Sequence, residues 1–131
     1  MQLEFAARGR TGHGAYPLAF ELLEANGDVV EPQDLAPFTH ALLSDVTRRL
    51  TRAEIAAKFH TGLVDAAVRV AAQAEISRVV LSGGCFQNQL LLGTVTQALE
   101  ARGHRVYSAH QVPPNDGGIA AGQAVVAARH G

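Results

Sequence analysis

Hydrophobic and polar positions follow two different regimes along the chain. In the first half, Leu18 to Leu23 and Asp28 to Val30 are short apolar runs on either side of Asn26-Gly27. Asn-Gly between such runs predicts a β-hairpin, because both central residues of a type I′ turn need positive φ. Asp34 then predicts the cap of a helix running to about Leu50, with Pro37 in the first turn, where its missing N–H costs nothing. Leu35, Phe38, Leu42 and Val46 give that helix one apolar face. Thr51 and Glu54 have the spacing of a capping box, which opens a long helix to about Glu75. Its predicted buried stripe is Ile55, Phe59, Leu63, Ala67, Val70 and Ala74.

After Ser77 the pattern changes. Arg78-Val79-Val80-Leu81 is a short β-branched run suited to a buried parallel strand, and Ser82-Gly83-Gly84 breaks it. A helix from about Asn88 to Ala101 follows, stopped by Gly103. Arg105-Val106-Tyr107 is a second strand, Pro113-Pro114 ends that segment, and a last helix runs from about Gly117 to Arg129. Strand, helix and strand in so short a span predict a right-handed parallel crossover. Gly118 and Gly122, one turn apart, predict close packing of the last helix on a neighbour. Met1 to Arg8 reads as helix with no capping residue before it, as if an element had been cut open, so a fragment is expected.

A chain of 131 residues favours one domain with a real core. Eleven basic against twelve acidic residues (net charge -1) give no electrostatic case for nucleic acid or an anionic membrane as partner. One cysteine excludes an internal disulfide and a cysteine-based zinc site. With no signal peptide at the start and no apolar run near the ~20 residues that span a bilayer, a soluble cytoplasmic protein is expected.

Two segments carry chemistry. In Leu81 to Asn88 a strand ends in two glycines just before a helix. Glycine lets backbone approach a ligand, and a helix N-terminus offers unpaired N–H groups to an anion or to a nucleotide's polar edge. A plain strand-to-helix turn has the same spacing. Dinucleotide and P-loop fingerprints are absent. In Pro113 to Ile119, Asp116 sits beside two glycines at a helix start, where it is either a ligand for a divalent cation or an N-cap. Cys85, on the turn, is either a nucleophile or a small hydrophobe, and packing is the better reading. The six histidines show no i, i+4 pair for a metal, and His60 reads as polar-face or interdomain packing.

Together these segments resemble the HypF family of hydrogenase maturation carbamoyltransferases. Leu81-Ser82-Gly83-Gly84-Cys85-Phe86-Gln87-Asn88-Gln89-Leu90-Leu91 is similar to its LSGGVFQN-type segment, and Pro113-Pro114-Asn115-Asp116-Gly117-Gly118-Ile119-Ala120-Ala121-Gly122-Gln123-Ala124 to its PxNDGGIALGQ-type segment. Lys58-Phe59-His60 resembles an RFH-type segment, and Met1 to Glu4 the end of an EGQAAMxLE-type helix. The resemblance implies the C-terminal part of a threonylcarbamoyladenosine-synthase-like domain. Its fold class is α/β, a segment of an actin-like ATPase (ribonuclease H-like) domain: a β-hairpin, then helices, then β-α-β-α. Residues 1–131 would form a single domain within a two-lobed carbamoyltransferase domain.

By the same resemblance the full enzyme turns carbamoyl phosphate and ATP into a carbamoyl-adenylate. It then carbamoylates the C-terminal cysteine of a HypE-type partner, a step toward the cyanide ligands of nickel–iron hydrogenase. Gly83, Gly84 and Asn88 would contact the nucleotide, Glu4 the ribose, and Asp116 would hold a divalent metal, iron or magnesium. No catalytic residue is assigned. Cys85 stands where the family has valine, which argues against a nucleophile. The family's first lobe, histidine pair, phosphate loops, zinc-finger segment and acylphosphatase-like domain have no counterpart, so the chain is expected to be inactive without its N-terminal lobe. The alternatives are a nucleotide- or partner-binding module without catalysis, and a thiol enzyme using Cys85.

Overall fold

The structure is a computed structural model that describes residues 6–7, 14–23, 29–32, 34–109 and 118–130. The hairpin forms: β1 (Phe20–Leu23) pairs antiparallel with β2 (Val29–Pro32), from Phe20↔Pro32 to Leu23↔Val29. Asn26-Gly27 lies outside the described residues. Leu18, expected to open the first strand, precedes it instead, buried, with its carbonyl accepting from the Arg69 guanidinium.

Helix α1 (Ala36–Thr47) ends earlier than expected, because Arg49 adopts φ 60 just past it. Asp34 does not hold the N-cap position, which is Leu35 with no side-chain cap bond; it stands one residue earlier, and its Oδ1 accepts from the first helical N–H, that of Ala36, at 2.8 Å. Nor does the predicted apolar face form. Leu35 and Val46 are exposed, and the buried residue of this helix is Asp45.

Helix α2 (Arg52–Gln73) opens with the predicted capping box: Glu54 N–H donates to Thr51 Oγ1 at 3.2 Å and Thr51 N–H donates to Glu54 Oε2 at 2.8 Å. Its buried residues are Ala56, Ala57, His60, Gly62, Ala66, Val68 and Ala71, while the predicted stripe is only half-buried. Small side chains decide this. The segment around Tyr16 and Leu18 lies against one side of α2, and the strand-helix layer packs on another, so the closest approaches fall on Ala and Gly. Tyr16 is 2% exposed, meets Phe38 edge-on at 5.6 Å between ring centroids, and donates its phenol to Asp45 Oδ2 at 2.8 Å. Lys58 pairs with the same carboxylate.

The parallel strand pairing is as expected. β3 (Arg78–Leu81) and β4 (Arg105–Ser108) are parallel, with Val80↔Tyr107 in register, joined through α3 (Gln89–Glu100). Val68 and Ala71 of α2, Leu81 of β3 and Leu91, Val95 and Leu99 of α3 form one buried cluster. Among the described residues, a covering layer packs on only one face of the sheet. Val80 is 71% exposed and Tyr107 45%, so β3 is not the strand buried on both faces that its composition suggests.

Gly103 ends α3 at φ +87. Its N–H bonds Glu100 O at 2.9 Å and the His104 N–H bonds Leu99 O at 3.2 Å, the paired bonds of a Schellman motif. Gly103→Ala is expected to cost about 1 kcal/mol of unfolding free energy in a denaturant titration, since open space surrounds its missing Cβ and only the left-handed backbone opposes it. The last helix, α4 (Ile119–His130), exposes Ile119, Val125 and Val126. Among the described residues nothing lies within 4 Å of a Cβ built on Gly122, so none of them packs closely on α4 there.

Candidate functional site

β3 ends at Leu81 on the buried cluster, and the chain turns at Gly83, whose φ of 103 favours glycine. The helix does not start at the glycines. A single 3₁₀ turn over Gly84–Gln87 comes first, closed by Phe86 N–H to Gly83 O at 3.1 Å and Asn88 N–H to Cys85 O at 3.2 Å. Asn88 then caps α3: Leu91 N–H donates to its Oδ1 at 3.0 Å.

The other end of the Asn88 amide is also held. Its Nδ2 lies 2.9 Å from His60 Nε2, and His60 Nδ1 lies 2.8 Å from Ala56 O. These contacts assign the hydrogens. The cap needs Oδ1 toward Leu91, so Nδ2–H donates to His60 Nε2; the Ala56 carbonyl only accepts, so Nδ1 carries the ring proton. His60 is therefore a neutral imidazole, 6% exposed, joining the middle of α2 to the first turn of α3. The sequence pointed to polar-face or interdomain packing for this residue; spacing alone carries no sign of a partner 28 positions away.

Beside this turn, over the carboxyl ends of β3 and β4, lies a cavity of about 240 Å³ lined by Leu81, Phe86, Gln87, Gln89, Leu92, Ser108 and Ala109. The carboxyl ends of parallel strands are where open α/β sheets take ligands. Apolar Phe86, Leu81 and Leu92 offer a wall to a flat ring, and Gln87 and Gln89 offer amide donors and acceptors. Gly83, Gly84 and Asn88 sit together in the adjoining turn and are not among its lining residues. Of the sequence-predicted residues, these three are brought together; Glu4 and Asp116 lie outside the described residues. The cavity residues themselves went unrecognised, although Phe86 and Gln87 stand within the singled-out segment.

Cys85 is free and exposed on the turn. Among the described residues no group of three His, Cys, Asp or Glu side chains is placed to hold a metal ion, so they do not make a metal site by themselves. No described helix is long and apolar enough to cross a membrane.

A parallel strand–helix–strand unit with a glycine turn over the strand ends defines a mixed α/β domain. The family comparison is more specific: the chain belongs to the carbamoyltransferase Kae1-like domain family, second subdomain, whose profile matches residues 1–123. It is 40% identical over 123 residues to the carbamoyltransferase HypF2 of Cupriavidus necator, covering 90% of this chain and 15% of that protein. It is 45% identical over 69 residues to the carbamoyltransferase HypF of a Synechocystis species, covering 53% of this chain and 9% of that one. Among solved structures, full-length HypF in a phosphate- and nucleotide-bound form superposes with a TM-score of 0.76 at 33% identity, over 96% of this chain and 16% of that one. HypF of T. kodakarensis shares the fold with a TM-score of 0.67 at 24% identity, over 97% of this chain and 16% of that one. The chain thus spans a fifth or less of the length of the relatives it matches.

Proposed function

We propose that this chain is a segment of a HypF-type carbamoyltransferase acting in nickel–iron hydrogenase maturation, and that it forms one wall of the nucleotide cleft. The observation that carries the reading is the glycine turn at the end of β3 beside the strand-end cavity, in a chain whose family membership runs over residues 1–123. The likeness to a HypF solved with phosphate and nucleotide supports it. In this reading residues 1–131 are a single domain within a two-lobed, actin-like carbamoyltransferase domain. The open sheet face at Val80 and Tyr107 is where further parts of that domain pack.

The backbone around Gly83 and Gly84 and the free N–H of the Asn88 amide hold ATP or the carbamoyl-adenylate, with Glu4 at the ribose. Asp116 gives one ligand to a divalent metal, iron or magnesium, whose role is to neutralise charge on the phosphates. Carbamoyl phosphate supplies the carbamoyl group, and a HypE-type protein receives it on its C-terminal cysteine. Such a transfer needs a held, activated leaving group and not a protein nucleophile, so Cys85 takes no part. The chain alone is inactive, because the phosphate loops and the remaining metal ligands belong to the other lobe.

Cys85 is nonetheless a ready probe, being the single thiol and lying on the turn. ATP is expected to slow its alkylation in proportion to site occupancy, about tenfold at ten times Kd. Adding the N-terminal lobe is expected to restore carbamoyl-phosphate-dependent ATP cleavage, and Cys85→Ala to leave it intact. Unchanged alkylation at millimolar ATP, together with no cleavage after complementation, would remove this reading. Protection without cleavage would leave a binding module.

A further inference from the structure

We propose that His60 is a positioning residue for the nucleotide turn: its neutral ring sets which way the Asn88 amide faces, and through it the geometry of Gly83 to Asn88. The inference deepens the nucleotide reading and rests on it for its functional half. Three observations carry it. First, His60 is 6% exposed and both ring nitrogens are occupied, Nδ1 by Ala56 O at 2.8 Å and Nε2 by Asn88 Nδ2 at 2.9 Å. Burial explains why both nitrogens are bonded, but not why one of the partners is the amide that caps α3. Second, Asn88 is where the 3₁₀ turn hands over to α3: its N–H closes the turn on Cys85 O at 3.2 Å and its Oδ1 caps Leu91 at 3.0 Å. Third, α2 is the longest helix among the described residues, and Val68 and Ala71 farther along it lie in the main buried cluster, so His60 ties a small exposed turn to a rigid element.

The chemistry is one of exclusion. An amide whose ends are interchangeable in shape has two orientations. An acceptor at His60 Nε2 admits only the one with Nδ2 toward the ring. The capping oxygen is then locked toward Leu91, and the second Nδ2 hydrogen is left for a ligand. With that acceptor gone, the amide rotates, the cap weakens and the turn takes several conformations. The cost falls on ligand affinity more than on the fold, because organising a loop beforehand removes ordering cost from the binding step.

Two isosteres separate this from packing. In His60→Gln the side-chain oxygen falls near the Nε2 position and keeps an acceptor for Asn88. In His60→Asn the polar group falls near Nδ1, keeping the Ala56 bond and losing Asn88. Amide hydrogen exchange at Leu91 is expected to speed up roughly three- to tenfold in His60→Asn, the scale of one weakened cap, and to stay near wild type in His60→Gln. Nitrogen NMR of the wild-type imidazole is expected to show the proton on Nδ1. ATP protection of Cys85 is expected to fall in His60→Asn and to be rescued in His60→Gln, with circular dichroism showing both folded. Equal Leu91 exchange in the two variants, or a proton on Nε2 in the wild type, would overturn the proposal whatever ATP does. A wild-type chain in which ATP never protects Cys85, with no cleavage after the N-terminal lobe is added, would instead sink the nucleotide reading, while the Leu91 comparison still decides whether His60 positions the turn.

Discussion

Gly62→Ala is expected to destabilise the chain by roughly 2–3 kcal/mol, against the usual sign for that change. Glycine inside a helix costs about 0.5–1 kcal/mol relative to alanine, so the substitution normally helps. Here a Cβ on Gly62 would lie 2.7 Å from Tyr16 O and 3.3 Å from Tyr16 N. Both are backbone atoms and cannot swing aside. The segment carrying them is anchored nearby by Tyr16 N–H to Lys58 O at 3.4 Å and by the Arg69 guanidinium on Leu18 O. Relief therefore needs the whole segment to lift off α2, which uncovers Tyr16 and Leu18. Gly93→Ala on α3 is the control. Nothing lies within 4 Å of its Cβ, so the propensity gain of about 0.5–1 kcal/mol should appear undiminished. Urea midpoints of the two variants should move in opposite directions. If both rise, the segment around Tyr16 does not sit on the helix as described.

That pair of glycines shows where sequence reading reached and where it stopped. Features set by neighbours in the chain were legible: the Thr51–Glu54 capping box, the strand at Arg78–Leu81, the stop at Gly103 and the parallel strand pairing all rest on contacts a few residues long or on a simple period. Features set by distant segments were not. Glycine spacing pointed to Gly118 and Gly122 for close contact, but among the described residues it is Gly62 that is pressed against backbone, and no local pattern marks it. The stripe expected on α2 assumed one buried face, whereas the segment around Tyr16 and the strand-helix layer each claim part of the helix, and His60 falls among the buried positions. At the candidate site the motif located the turn, Gly83, Gly84 and Asn88, because glycine and cap chemistry are local. The His60 partner and the Gln89, Ser108 and Ala109 contributions to the cavity come from folding and could not be read off.

Asp45→Ala is expected to cost about 3 kcal/mol, since it leaves two partners stranded at once. The carboxylate on α1 accepts the Tyr16 phenol at 2.8 Å and pairs with Lys58 on α2, whose Nζ also sits 4.8 Å from the centre of the Tyr16 ring. Three segments meet at one buried charge. Lys58 stays about one-fifth exposed, so solvent screens part of the pair, and the estimate lies at the lower end for breaking a buried one. Asp45→Asn keeps an acceptor for the phenol and should cost less. The pH dependence has two edges. The Lys58 hydrogen bond chiefly holds the Asp45 carboxyl below its ordinary 3.8, against the opposing effect of burial. The unfolded chain therefore takes up its proton first as pH falls, so this contribution is present above about 3.8 and is lost as pH drops through the folded value. Tyr16 is pushed up from 10.0 to about 12, first by burial and then by its bond and charge interaction with Asp45. The unfolded phenol ionises first as pH rises, so stability is full below 10 and falls by ~2 kcal/mol on the way to 12. In Tyr107→Phe the remaining tyrosine is Tyr16, and its ultraviolet titration should come near 12 when folded and return toward 10 in urea. Adding Asp45→Ala should bring the folded titration part of the way down, burial alone holding it up. A folded midpoint at 10 would mean that Tyr16 is open to water and that the three segments are not joined there.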